Sequence, residues 1–330
     1  MNTLIILFRE NLNLILYERI NYFMKKLLIA FGLLVLLIGS FFIPYEIHAL
    51  IKIADTQSSG NKNKDKKNII QTTNVASTLP QTSPDTAMKR VPIIYDILGV
   101  SIRPKIYPDT AMTKWRKAVV NLAKKYPSDL YINGQTENKV VALTFDDGPD
   151  PVNTPKIIKV LRDNNIQGTF FCIGEQIEAC KSIIKQAYAD GDVIANHSWS
   201  HKDLTIINTA EIKNEVTLTE NEINKVIGKR SALIRPPYGD INDAALNSLI
   251  ALNYKSIIWS TDTLDWEQRE DANIVKNVVN NVRPGEIILM HCNEDKKATT
   301  EALPQIISKL KQMGYSFVTV DKLLHLSAYK

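Results

Sequence analysis

From Lys139 to the C-terminus, apolar positions fall into two alternating arrangements. Short runs that are apolar nearly throughout occur at Val140–Phe145, Thr169–Ile173, Asp192–Asn196, Ala232–Arg235, Lys255–Ser260, Glu286–His291 and Tyr315–Val320. Each has the length of a strand, and the lack of polar alternation fits strands covered on both faces. Between the runs, apolar residues recur every three or four positions, the helical period. Ile157, Ile158 and Leu161 form one stripe behind Thr154-Pro155, read as a cap and a first-turn proline. Ile212, Val216, Ile223 and Val226 form a second, with Thr209 as its expected cap. Leu303, Ile306, Ile307, Leu310 and Met313 form a third, which Gly314 ends. Seven strands alternating with helices predict an α/β fold built on a parallel sheet, open or closed into a barrel, with right-handed crossovers.

Upstream the pattern changes three times. Over 91–138 structure is sparse, but Trp115, Val119, Leu122 and Ala123 predict one helix over about 111–126 that packs against the α/β domain. Residues 44–90 read as a polar linker. From 55 onward they are rich in Ser, Thr, Asn, Gln, Lys and Pro without periodicity, as in a solvated tether. Leu27–Ile43 is an apolar run behind Met24-Lys25-Lys26. Its length falls between a secretory core of about 7–15 residues and a spanning helix of roughly 17–25. Residues 24–43 are therefore expected to be a signal anchor or a signal peptide, the anchor being favoured because Ile47-His48-Ala49 is a poor cleavage site. With Met24 as the start, 1–23 is an upstream extension. Basic residues before the run predict the N-terminus inside and the remainder extracytoplasmic, anchored by one helix or secreted.

Composition narrows the classes. At 330 residues, 45% apolar and 23% charged, the chain is neither disordered nor collagen-like. A net charge of +5 without a dense basic stripe gives no expectation of nucleic acid. Three cysteines exclude a disulfide-built scaffold, although Cys172 and Cys180 form a conceivable pair in an exported chain.

The chemistry-bearing residues gather at predicted strand ends. These ends read Thr144-Phe145-Asp146-Asp147-Gly148-Pro149, Asn196-His197-Ser198-Trp199-Ser200-His201, Arg235-Pro236-Pro237-Tyr238-Gly239, Asp262-Thr263-Leu264-Asp265-Trp266 and Leu289-Met290-His291. Sites of parallel α/β folds form at the carboxyl ends of strands. His197 and His201, four apart, can meet at one point. Adjacent carboxylates at a buried strand end repel and are costly to desolvate, and a cation offsets that cost. Two His and one Asp make a catalytic metal site with open positions, leaving the second Asp as base on water activated by the cation. Arg235 can hold that base ionised, and Asp265 can orient His291 as a proton donor.

The five motifs TFDDGP, HSxxH, RPPYG, DxxDW and LxH, in this order, resemble those of the NodB-type polysaccharide deacetylases, carbohydrate esterase family 4. The resemblance covers about Lys139 to Leu324 and marks 139–330 as the catalytic domain. It implies a distorted (β/α)7 barrel, here behind an N-terminal membrane or signal segment and a flexible linker. It also implies removal of acetyl from N-acetylated, sometimes O-acetylated, sugars in polymers such as peptidoglycan or chitin. Residue by residue, it implies Asp147, His197 and His201 as metal ligands, Asp146 as base and His291 as acid. Arg235 would orient Asp146 and Asp265 would orient His291. The Tyr238 backbone N–H would stabilise the oxyanion, and Trp266 with Leu289 would wall the acetyl pocket. Asp262 is expected to stabilise its loop, and Ser198 to hydrogen-bond within the histidine loop. Cys292 departs from the Asp that many members carry there. Zn2+ is the expected ion, with Co2+, Mn2+ or Ni2+ as alternatives; an acetylated polysaccharide and the membrane are the expected partners, and a monomer the expected state. The rival readings are a non-haem iron oxygenase, which favours an all-β scaffold, a sugar-binding barrel without turnover, and a hydrolase of small cyclic amides.

Overall fold

The computed structural model describes residues 92–101, 109–268 and 270–330, all within a unit running from Thr86 to Lys330. The expected signal segment, its upstream extension and the polar linker lie outside the described residues. Among the described residues no helix is long and apolar enough to cross a membrane.

The elements in chain order are α1 (Asp109–Lys125), β1 (Leu130–Tyr131), β2 (Val140–Asp146), α2 (Thr154–Asp163), β3 (Thr169–Cys172), α3 (Gly174–Ile177), α4 (Lys181–Ala189), β4 (Val193–Asn196), α5 (Thr209–Ile227), β5 (Leu233–Ile234), α6 (Asp243–Ala251), β6 (Lys255–Ile257), β7 (Thr261–Asp262), α7 (Asp271–Val279), β8 (Ile287–His291), α8 (Lys297–Gln312), β9 (Ser316–Phe317) and α9 (Val320–Leu324). Every strand pairing is parallel, in the order β1-β6-β5-β4-β3-β2-β8-β7, with β9 added to β2. Only Ile258–Ser260 separate β6 from β7, although these strands stand near opposite ends of that order. One bent stretch of chain thus serves both flanks, and the sheet curls as a distorted barrel requires.

Seven runs were expected and nine strands form among the described residues. The fifth run keeps only β6, and β7 follows just beyond its end, past a bend. The two-residue β1 was too short for periodicity to reveal. Two caps also differ from expectation. Asn208, not Thr209, caps α5, accepting from the N–H groups of Ala210 and Glu211 while Glu211 accepts from Asn208. At α2 the Asp150 carboxylate accepts from the N–H groups of Val152, Asn153 and Thr154 and from the Thr154 hydroxyl, so Thr154 is the first helical residue. All three cysteines are free and buried, so Cys172 and Cys180 are not paired.

Side-chain alternation along the strands sorts the core into two layers. Val141, Leu143 and Phe145 of β2, with Ile288 and Met290 of β8, pack outward on Ile157, Leu161, Ile274, Leu303 and Ile306 of the helices. Ala142 of β2, Phe171, Val193, Ala195, Leu233, Ile287 and Leu289 face inward. Parity then places Thr144 and Asp146 with Ala142, His291 with Leu289, His197 with Ala195, and Arg235 with Leu233. The inner faces of four strands therefore deliver their last side chains to one end.

The stretch before the barrel joins the inner layer. Val119, Val120 and Ala123 of α1 pack with Trp259 and Ile257. Leu98 pairs with Thr261: its N–H donates to the Ser260 carbonyl (2.8 Å) and its carbonyl accepts from the Asp262 N–H (2.7 Å).

Candidate active site

Asp146, the last residue of β2, is 2% exposed, so its charge needs a partner. Arg235 supplies it from beyond β5. Its Nη1 donates to Asp146 Oδ1 at 2.7 Å and to Thr144 Oγ1 at 2.9 Å. Nε and Nη2 donate to the carbonyls of Ile257 and Ile258, both at 3.1 Å. The guanidinium lies 4.2 Å from the Phe171 ring centroid. A fully buried Arg with these contacts fixes one Asp146 oxygen and leaves Oδ2, 3.9 Å from His197 Nε2, toward the cavity.

Asp147 turns away from β2 in the left-handed region (φ 67°), which separates the two neighbouring carboxylates. Its Oδ1 lies 3.3 Å from His197 Nε2 and 3.2 Å from His201 Nε2. Among the described residues these three are the group whose ligand atoms all lie within 4.8 Å of one another. His197 Nδ1 stands 2.7 Å from the Arg235 carbonyl, which can only accept. Nδ1 therefore carries the proton, and Nε2 presents its lone pair toward Asp147. Asp147 Oδ1 is buried and accepts no hydrogen bond. Lone pairs converging on one point repel unless a cation sits there. Ligand atoms about 2.0–2.2 Å from a tetrahedral Zn2+ stand about 3.4 Å apart, close to both separations found. The donor set fits a divalent ion.

The histidine loop is held from α5. Glu215 Oε2 accepts from the N–H groups of Trp199 (3.0 Å) and Ser200 (2.8 Å), and Oε1 from the Ser200 hydroxyl (2.8 Å). Burial raises the Glu215 pKa, but the Ser200 donors and Lys202 more than offset it. Ser198 differs from expectation. Its positive φ (64°) turns the backbone N–H onto Asn196 Oδ1, while the buried hydroxyl has no partner among the described residues.

On the opposite wall, Asp265 grips His291 twice. Oδ1 lies 2.7 Å from ring Nδ1, and Oδ2 accepts from the backbone N–H at 2.7 Å. Thr299, near the start of α8, donates to Oδ2 at 2.7 Å. Burial pulls the His291 pKa down, but the charge and hydrogen bond of Asp265 prevail, aided by Asp147 and Asp146, and raise it to about 9. Asp262 stabilises its loop as expected, accepting from the Leu264 N–H (2.9 Å) and Trp266 Nε1 (3.3 Å).

These groups line a cavity of about 550 Å3. Asp146, Asp147, His197, His201, His291, Tyr238, Trp266 and Leu289 all border it. Arg235 and Asp265 stand behind Asp146 and His291 through the bonds above. Tyr238, 61% exposed with φ 61°, places its ring 4.5 Å from that of His201. Asp147, Ser198, His201, Tyr238 and Leu264 all hold left-handed backbone, and such strained positions concentrate at functional sites.

Sequence reasoning missed Glu215, Thr299 and the wall from α1, where Met112 and Trp115 border the cavity beside Trp259. A signal for Glu215 existed: it interrupts the apolar stripe between Ile212 and Val216. Thr299 had none.

Residues 133–257 match the family model for polysaccharide deacetylase. A peptidoglycan-N-acetylglucosamine deacetylase of Bacillus cereus is 38% identical over 197 residues, 59% of this chain and 72% of that protein. The peptidoglycan-N-acetylmuramic acid deacetylase PdaA of Bacillus subtilis is 33% identical over 212 residues, 63% of this chain and 79% of that protein. The crystal structure of the Bc1960 peptidoglycan N-acetylglucosamine deacetylase, in complex with an N-hydroxybenzamide, superposes with a TM-score of 0.61 at 36% identity, covering 63% of this chain and 99% of that one.

Proposed function

The chain belongs to the polysaccharide deacetylase family (NodB type, carbohydrate esterase family 4), and we propose that it hydrolyses the acetamido group of N-acetylated sugars in peptidoglycan. The observation that carries this reading is the unpartnered Asp147 Oδ1 facing two imidazole nitrogens in the cavity that Asp146 and His291 also enter.

Asp147, His197 and His201 would hold a divalent cation, with Zn2+ favoured by the N/O donor set. Such an ion supplies acidity to water and polarises the acetyl carbonyl. The remaining chemistry belongs to the chain. Asp146, fixed through Oδ1 by Arg235, takes the proton from the attacking water through Oδ2. As the carbonyl carbon becomes tetrahedral, the Tyr238 backbone N–H donates to the developing oxyanion, a contribution of about 3–4 kcal/mol for such donors. His291, protonated at neutral pH, gives its Nε2 proton to the amide nitrogen. The C–N bond then breaks, leaving a free amine on the sugar and acetate. Trp266 and Leu289 would pack on the acetyl methyl from the cavity wall. Residues 24–43 would tether the enzyme outside the cytoplasm, within reach of the wall.

Acetate release from peptidoglycan and from acetylated chitooligomers, with and without chelator, tests the reading. Release that stops with chelator and returns with metal is expected. No release from any acetylated glycan by metal-loaded protein would overturn it in favour of a sugar-binding barrel.

A further inference from the structure

The cavity is larger than an acetyl group needs, and of its far wall only the Tyr238 backbone has a part in the reaction described. That wall joins Met112 and Trp115 of α1 to Tyr238, Gly239 and Asp240. Gly239 fixes the junction. Its φ is +68°, and a Cβ there would stand 2.6 Å from the Trp259 ring and 2.7 Å from that of Trp115. Backbone and two indoles therefore meet without slack, and Asp240 follows directly.

The charges lining the cavity are unevenly distributed. Among the described lining residues, the acidic side chains are Asp146, Asp147, Asp240 and Asp262, and no Lys or Arg borders the space. Three of the four are committed: Asp146 to Arg235, Asp147 to the two imidazoles, and Asp262 to the Leu264 N–H and the Trp266 indole. Asp240 has no ion-pair partner among the described residues. Burial and the nearby Asp203 carboxylate oppose its charge, while the Trp115 indole favours it. An unpaired carboxylate half-sunk in a binding cavity accepts hydrogen bonds from ligand hydroxyls and repels ligand anions.

We propose that Asp240, set beside Trp115 on this wall, is the specificity-determining residue of the cavity: it selects a neutral N-acetylhexosamine and turns away one that carries its own carboxylate, as the lactyl ether of muramic acid does. This rests on the deacetylase reading above and specifies which of the two peptidoglycan sugars is attacked. Sugar hydroxyls replace the water that Asp240 loses when the sugar enters, so the neutral sugar gains. An acidic sugar brings a second anion beside Asp240, on a wall that carries neither Lys nor Arg to receive it, and loses.

The test compares acetate release from an N-acetylglucosamine tetramer with that from a glycan in which the acetyl groups reside on muramic acid alone. Metal-loaded full-length protein is used, as wild type, Asp240→Asn and Asp240→Lys. Wild type is expected to prefer the neutral sugar by about tenfold or more in kcat/KM, with preference weakening as salt rises. Asp240→Asn should narrow the ratio and Asp240→Lys narrow it further, through KM more than kcat. Unchanged melting temperatures establish that the variants are folded. A wild type that turns over both sugars equally, or a ratio that neither variant moves, overturns the assignment of Asp240 and leaves the deacetylase reading standing. Activity on neither glycan overturns both.

Discussion

Replacement of Asp265 by Asn probes the proton donor without touching the cavity surface. In the wild type a pKa of about 9 against 6.5 for a free imidazole corresponds to about 3.4 kcal/mol in favour of the imidazolium, at about 1.36 kcal/mol per pH unit. Asp265 supplies the largest share, because burial alone would lower the value. A raised pKa keeps His291 protonated through neutral pH, and the proton is lost as pH climbs through about 9. Without the carboxylate the largest raising influence is gone while burial still lowers the value, so the ordinary imidazole value of about 6.5 is the working figure for the variant. At pH 8 the protonated fraction then drops from about 90% to about 3%, roughly a thirtyfold loss of rate from protonation alone. A cation at Asp147 lowers both values by similar amounts, so the displacement between the two proteins is the quantity to read. The pH dependence of acetate release should show an alkaline limb that moves down by about 2.5 pH units in Asp265→Asn. An NMR titration should show the same displacement at one imidazole; with five histidines in the chain, a His291→Gln spectrum assigns it. An alkaline limb that stays in place would refute His291 as the acid, or Asp265 as the group that sustains its charge.

Asp146→Asn should retain metal, measured by elemental analysis, while losing about 100- to 10,000-fold in kcat; loss of metal instead would mean that base and ligand are exchanged. His197→Ala removes one of three ligands, so metal content and activity should fall together, and retained activity would refute the ligand set. Arg235→Met leaves Asp146 buried without its partner and should lower stability by about 3–5 kcal/mol in denaturant titration, since breaking a buried pair by removing one member exposes the other to uncompensated desolvation.

Much of this architecture could be read from residue order, because the chemistry sits where strands stop and strands announce themselves as apolar runs. Asp146 and His291 were legible as partners in one site because each ends an inward-facing alternation. The same alternation explains how Arg235, expected from sequence to hold the Asp146 base, reaches the interior: its parity with Leu233 carries it inward. What escaped were contacts made across long separations. Glu215 reaches the loop at Trp199 and Ser200 from a helix whose apolar stripe it interrupts, but nothing in the sequence says which loop it meets. Thr299 meets Asp265 only because β7 and β8 are neighbours in the curled sheet. The end of β6 at Ile257 and the start of β7 at Thr261 were hidden because the bend between them leaves no compositional mark. The capping of α5 by Asn208 was misplaced by one position, within the usual uncertainty of a helix end.

The pairing of Leu98 with Thr261 has a practical consequence for anyone isolating the hydrolytic portion. The five motifs suggest cutting at Lys139, yet a protein trimmed there forfeits Leu98 together with the helix bearing Met112 and Trp115. The backbone groups of β7 that Leu98 engages would stand bare, a ready template for another copy to add on. A fragment that aggregates on purification would then be reporting a missing neighbour rather than an unstable barrel, and moving the cut upstream of Pro92 is the remedy.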